Sequence, residues 1–128
     1  MRSRTAVSAL LALLVLLLAA CGGDATAGDT AASAGDGDSV AVDVSMQDME
    51  FVPDTVEVPA GATVEFNLTN DGNLEHDLVF DDGTDSGVVA PGGSTTFVAG
   101  PFTQDTVGWC DVPGHRESGM ELEIIVAD

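Results

Sequence analysis

Val40-Ala41-Val42-Asp43-Val44-Ser45-Met46 alternates large apolar side chains with small or polar ones, residue by residue. A period of two is that of a strand with one buried face; a helix would scatter these four apolar side chains around its circumference. The same parity returns in Val64, Phe66 and Leu68, in Leu74, His76, Leu78 and Phe80, and in Met120, Leu122, Ile124 and Val126. Turn signals separate these runs: Pro53-Asp54, Pro59-Ala60-Gly61, Asn70-Asp71-Gly72, Asp82-Gly83, Pro91-Gly92-Gly93 and Gly100-Pro101. Residues 55–58, 87–90, 94–99 and 105–110 bring the expected strands to seven or eight, with no convincing amphipathic helix. The expected fold is all-β, an antiparallel sandwich of about 90 residues over 40–128.

The front of the chain is not available to that domain. Arg2 and Arg4 precede the apolar run 9–18, and Leu18-Ala19-Ala20-Cys21 follows it. Residues 1–20 therefore read as a secretory signal with a lipoprotein-type cleavage site, the run being short for a membrane span. The tetrapeptide resembles the bacterial lipobox, which implies that Cys21 becomes the acylated first residue of the mature protein. An uncleaved anchor and a plain secretory signal are the alternatives. Residues 22–39 contain no Leu, Ile, Val, Phe or Trp, so with Cys21 they form a tether unable to bury surface. A flexible chain of eighteen residues reaches roughly 23 Å.

All 22 acidic residues lie after Cys21, and once Arg2 and Arg4 leave with the signal the only cation is Arg116. The mature side chains then sum to a net charge of minus 21, with no lysine anywhere in the chain. Such a surface repels nucleic acid and anionic headgroups and favours a partner with a basic docking surface. It also fits a domain that works in concentrated salt.

Chemistry concentrates near the end, in Cys110-Asp111-Val112-Pro113-Gly114-His115-Arg116-Glu117-Ser118-Gly119-Met120. A thiolate, an imidazole and a thioether stand at five-residue intervals, and His76, the only other histidine, offers a second imidazole. Two imidazoles and a thiolate in a plane, with a long axial thioether, suit copper and its one-electron couple. Structural zinc usually takes four strong ligands in paired short spacings, and no such pairing exists here. If Cys21 carries lipid, Cys110 is the one thiol left in an oxidising compartment, and metal ligation explains it. By parity His76 and Met120 face the apolar side while Glu75, Asp77, Glu121 and Glu123 face away. The alternatives are a core histidine satisfied by a carbonyl and a methionine that only fills space. Met46 and Met49 are explained by packing.

At these residues the chain resembles the cupredoxins, the small blue copper proteins typified by plastocyanin and azurin. Cys110-x-x-Pro113-Gly114-His115 followed by Met120 looks like the azurin ligand loop with one residue more before the methionine. His76, in Leu74-Glu75-His76-Asp77-Leu78-Val79-Phe80, stands where the family's first ligand does. Phe51-x-Pro53 and Val56-x-Val58-Pro59-Ala60-Gly61 look like its early strands and turn. The resemblance implies an eight-stranded Greek-key sandwich holding one type 1 copper near one end, with ligands His76, Cys110, His115 and Met120. Plastocyanin-like proteins place Asn after the first histidine and Ser or Thr after the cysteine; here Asp77 and Asp111 take those places. The two carboxylates would share a proton or take separate donors, and a pH-dependent potential is expected from them. By the same analogy the edge of His115 would be the exposed electron contact, with Trp109 a second exit or simply a packed aromatic, and Arg116 a surface charge able to orient a partner.

The expected function is that of a monomeric blue copper protein, extracytoplasmic and lipid-anchored to the membrane, that carries single electrons to and from a redox partner protein. It is not expected to be an enzyme, because copper oxidases and nitrite reductases need further histidines and this chain has none beyond two. The rival is a lipoprotein that captures copper and delivers it to another cuproprotein. A scaffold that has lost its metal is weak while all four ligands are present, and the sequon Asn67-Leu68-Thr69 is incidental beside a bacterial-type lipobox.

Overall fold

The computed structural model describes residues 33–35 and 39–128. The expected signal, Cys21 and most of the tether lie outside the described residues.

Eight strands form two packed sheets: β1 (Ser33–Gly35), β2 (Ser39–Gln47), β3 (Glu50–Val52), β4 (Thr55–Pro59), β5 (Ala62–Asn70), β6 (Ser94–Phe102), β7 (Thr106–Trp109) and β8 (Glu121–Ala127). One sheet runs β1-β2-β5-β6, with β3 pairing the same edge of β2 as β1 but at its other end. The other runs β4-β8-β7. The number of strands and the all-β class agree with the sequence reading. Purely antiparallel pairing does not: β2 pairs β5 in parallel, and so does β4 with β8. After the β3 hairpin the chain crosses to the second sheet as β4, so β5 returns alongside β2 in the same direction.

The alternation in 40–46 places Val40, Val42, Val44 and Met46 in the core, opposite Val56, Val58, Leu122 and Ile124 of the second sheet. Phe66 stacks on Phe97 and tilts against Phe80, which in turn meets Phe102. Each large apolar side chain so buried contributes about 1.5–3 kcal/mol. Among the described residues, no buried side-chain nitrogen or oxygen lacks a hydrogen-bond partner.

Three expectations need correction. Ser33–Gly35, inside the expected tether, pairs with residues 39–41 as an edge strand; ladder hydrogen bonds need no apolar side chain, so low hydrophobicity did not exclude it. Residues 87–90 are not a strand, and only Val89 bridges, to His76. Residues 74–80 are likewise held by single bridges, and the parity fails at both flanks of His76. Leu74 is 43% exposed, while Asp77 is buried at 7%.

Gly108 explains how this irregular segment packs. A side chain there would collide with Leu78 Cδ1 and Phe80 Cε1, so its absence lets the chain after His76 lie directly on the strand that leads into Cys110.

Candidate metal centre

Two loops at one end of the sandwich bring the candidate ligands together. The first is 70–76, which leaves β5 and is folded by a side chain. Asn70, fully buried, donates through Nδ2 to the carbonyls of Leu74 and Val89 (2.8 Å each) and accepts from the N–H of Gly72. His76 then exchanges backbone hydrogen bonds with Val89, N–H to carbonyl at 3.2 and 2.7 Å. Its backbone is thereby fixed before any ligand role is considered.

The second loop, 110–120, is closed on itself. Cys110 N–H donates to the Met120 carbonyl (3.1 Å), and Met120 N–H donates to the His115 carbonyl (3.2 Å). A single 3₁₀ turn, Arg116–Ser118, follows His115 and ends at Gly119. The three residues spaced by fives are thus brought to one end by main-chain bonds. Trp109, half-buried, pairs its backbone with Val79, while its ring lies under the Arg116 guanidinium at 4.0 Å. Arg116 also reaches Glu121 (3.2 Å), so the chain's candidate docking cation is engaged within its own loop.

His76, Cys110 and His115 converge, and all three are buried, at 0, 0 and 7% exposure. Their donor atoms form a triangle: His76 Nδ1 to His115 Nδ1 3.1 Å, Cys110 Sγ to His115 Nδ1 3.4 Å, and Cys110 Sγ to His76 Nδ1 3.9 Å. The centre of a triangle with those sides lies about 2.0 Å from each corner, close to a metal–imidazole bond length of ~2.0–2.1 Å and a little short of a ~2.3 Å metal–thiolate bond. Two nitrogens and one sulfur at this spacing, in a dry setting, fit copper. Met120, just ahead of β8, is fully buried, and its main chain is bonded to both Cys110 and His115.

The tautomer of His76 follows from its far side. His76 Nε2 lies 3.3 Å from Asp48 Oδ1, and a carboxylate can only accept, so Nε2 carries the proton and Nδ1 keeps its lone pair for a metal. Asp48 is ionised: the Asn73 side-chain amide first, then the Asn73 N–H, hold its carboxyl down at about 2. Sequence reasoning missed both Asp48 and Asn70. Asp48 stands in the two-residue turn between β2 and β3, 28 positions before its partner, and no spacing announces such a contact.

Burial pushes the Cys110 thiol above its ordinary value of 9.0, and the Asp77 charge adds to this, while the N–H groups of Asp77 and Val112 pull the other way. Asp77 and Asp111 do meet, but not as two facing carboxylates. Asp77 Oδ1 accepts the backbone N–H of Asp111 at 2.6 Å, and the Asp111 carboxylate accepts from Trp109 Nε1 at 3.4 Å. Each carboxylate takes its own N–H donor.

The sequence model of the cupredoxin-like domain matches residues 9–106, a stretch that includes His76 and stops before Cys110. No curated protein matches by sequence. Among solved structures, auracyanin from Roseiflexus castenholzii is 17% identical, with 73% of this chain and 100% of that one covered at a TM-score of 0.61. Auracyanin A, a "blue" copper protein from Chloroflexus aurantiacus, is 15% identical over 70% of this chain and 99% of that one, TM-score 0.61. The metal-binding domain of the Streptococcus pneumoniae Cu(I)-exporting ATPase is 11% identical over 76% and 93%, TM-score 0.58. At these identities the likeness is one of fold.

Proposed function

Since the chain belongs to the cupredoxin-like domain family, we propose that it is an extracytoplasmic blue copper protein that carries single electrons between redox partners. The observation that carries this reading is the buried triangle of His76 Nδ1, Cys110 Sγ and His115 Nδ1, all within 4.8 Å of one another. These three residues would hold one type 1 copper, and Met120 would offer it a weaker thioether donor. Copper bound there supplies a one-electron couple. The role is non-catalytic.

The chain's own residues explain why such a site would exchange electrons with little rearrangement. His76 is fixed by two backbone bonds to Val89, Cys110 and Met120 by the bonds that close their loop, and Asp111 by Asp77. Burial excludes water from the sulfur. His115, the least buried donor, is the natural point of electron entry. The same burial weighs against the alternative, delivery of copper to another cuproprotein, because an acceptor's ligands would have to reach an ion held between two fully buried residues, His76 and Cys110, and a third, His115, that is almost so.

Membrane attachment through Cys21 is part of the proposal and is supported by Leu18-Ala19-Ala20-Cys21 alone. A partner with a basic surface follows from the charge: between Asp43 and Asp128 eighteen carboxylates face one cation, Arg116.

The test is to add copper to the protein, record the visible spectrum and titrate with reductant. An intense band that bleaches and returns reversibly, and that Cys110→Ser abolishes, is the expected result. A colourless complex, or preferential Cu(I) binding with ready transfer to an apoprotein, would refute carriage.

A further inference from the structure

We infer that Asp48 is a positioning residue for the copper site: its carboxylate holds the Nε2–H of His76, and so sets both the ring's orientation and the electron density that Nδ1 offers the metal. The inference rests on the copper reading above and goes beyond it, because Asp48 touches no metal donor atom.

The site behind His76 is a built one. Asp48 Oδ1 accepts from Asn73 N–H (2.8 Å), Leu74 N–H (3.1 Å) and His76 Nε2 (3.3 Å), while Oδ2 accepts from Asn73 Nδ2 (3.0 Å). One carboxylate thereby grips the loop that delivers His76 at three residues, Asn73, Leu74 and His76 itself. Gly72 makes room for it, since a side chain there would collide with Asp48 Oδ1. The turn carrying Asp48 is shaped for the purpose: Met49 adopts φ 70°, a left-handed conformation that a non-glycine residue seldom takes. Asp71 N–H donates to the Met46 carbonyl (2.9 Å) and Ser45 Oγ donates to Asp71 (2.6 Å), so the end of β2 and the start of the loop are also joined next to the contact.

The chemistry has a direction. A carboxylate bonded to the distal N–H of a ligating imidazole increases the ring's basicity and adds negative charge near the metal. Both favour the more highly charged oxidised state. The Asp48 side chain is 35% exposed whereas His76 is fully buried, so solvent screens part of the charge but not the ring that receives the bond.

The test compares copper-loaded wild type with Asp48→Asn and Asp48→Ala. Asparagine keeps the shape and an acceptor oxygen and removes the charge; alanine removes the grip as well. For Asp48→Asn the expected result is an unchanged visible band with a reduction potential raised by about a threefold to tenfold shift in the oxidised-to-reduced ratio, a tenfold shift being ~59 mV. In the diamagnetic reduced state the His76 Nε2–H proton resonance should move upfield. A coloured wild type whose potential and resonance are both matched by Asp48→Asn would overturn the inference and leave the copper reading standing. A shift seen only in Asp48→Ala would also overturn it, showing a purely structural grip. A colourless wild type would sink the copper reading, and this inference with it.

Discussion

The backbone N–H of Asp111 donates to Asp77 Oδ1 at 2.6 Å. Through this bond the residue after one candidate ligand holds the residue after another, so the His76 loop and the Cys110 loop cannot separate independently. Asp77→Ala leaves the Asp111 N–H unpaired, and the expected cost is about 1–3 kcal/mol of stability together with weaker copper retention. Asp77→Asn keeps an acceptor and should retain most of both. Chemical denaturation and competition with a copper chelator measure the two effects; equal behaviour of Asp77→Ala and wild type would show that the bond does not join the loops.

Burial raises the Cys110 thiol above 9.0, which fixes the sign of two pH effects. In the metal-free protein at neutral pH the sulfur is protonated, so loading copper must release that proton, and apparent affinity should rise by up to tenfold per pH unit. Stability of the metal-free fold should be unaffected by this group below pH 9 and should fall as pH climbs beyond it, because the unfolded thiol ionises first. Proton release on copper addition in weakly buffered solution checks the first effect, and a pH series of unfolding midpoints the second.

Gly108 sits against Leu78 and Phe80. Gly108→Ala should cost about 1–3 kcal/mol through overpacking, and should broaden the visible band, because the segment pushed aside is the one that follows His76. A variant as stable and as sharply coloured as wild type would mean that the sandwich yields there freely.

Eighteen carboxylates between Asp43 and Asp128 repel one another with a single cation, Arg116, to offset them. Raising salt from dilute buffer to about 1 M shortens the screening length to ~3 Å, so the unfolding midpoint should rise. An equal midpoint across that range would remove self-repulsion as a determinant of stability.

The fold was legible where one physical period dominates. Val40 to Met46 is buried on one side and open on the other, so alternation reported it faithfully, and the same alternation runs from buried Met120, just ahead of β8, through Leu122 and Ile124. Around His76 the period misled, because single bridges and the side chain of Asn70 hold this stretch, leaving Leu74 outside and Asp77 inside. The candidate ligands were readable from donor chemistry, thiol and imidazoles being so few. What supports them was not: Asp48 and Asn70 look like ordinary turn residues until the chain folds and brings a carboxylate behind one histidine. The parallel pairing of β2 with β5 was equally invisible, since alternation reports which face is buried and not which way a neighbour runs.

X-ray absorption at the copper edge of the loaded protein tests the account most directly. Two nitrogen scatterers at about 2.0 Å and one sulfur slightly beyond, with the sulfur lost in Cys110→Ser and one nitrogen lost in His76→Ala, are the predicted result. A copper shell of oxygen and nitrogen alone, indifferent to both substitutions, would contradict it.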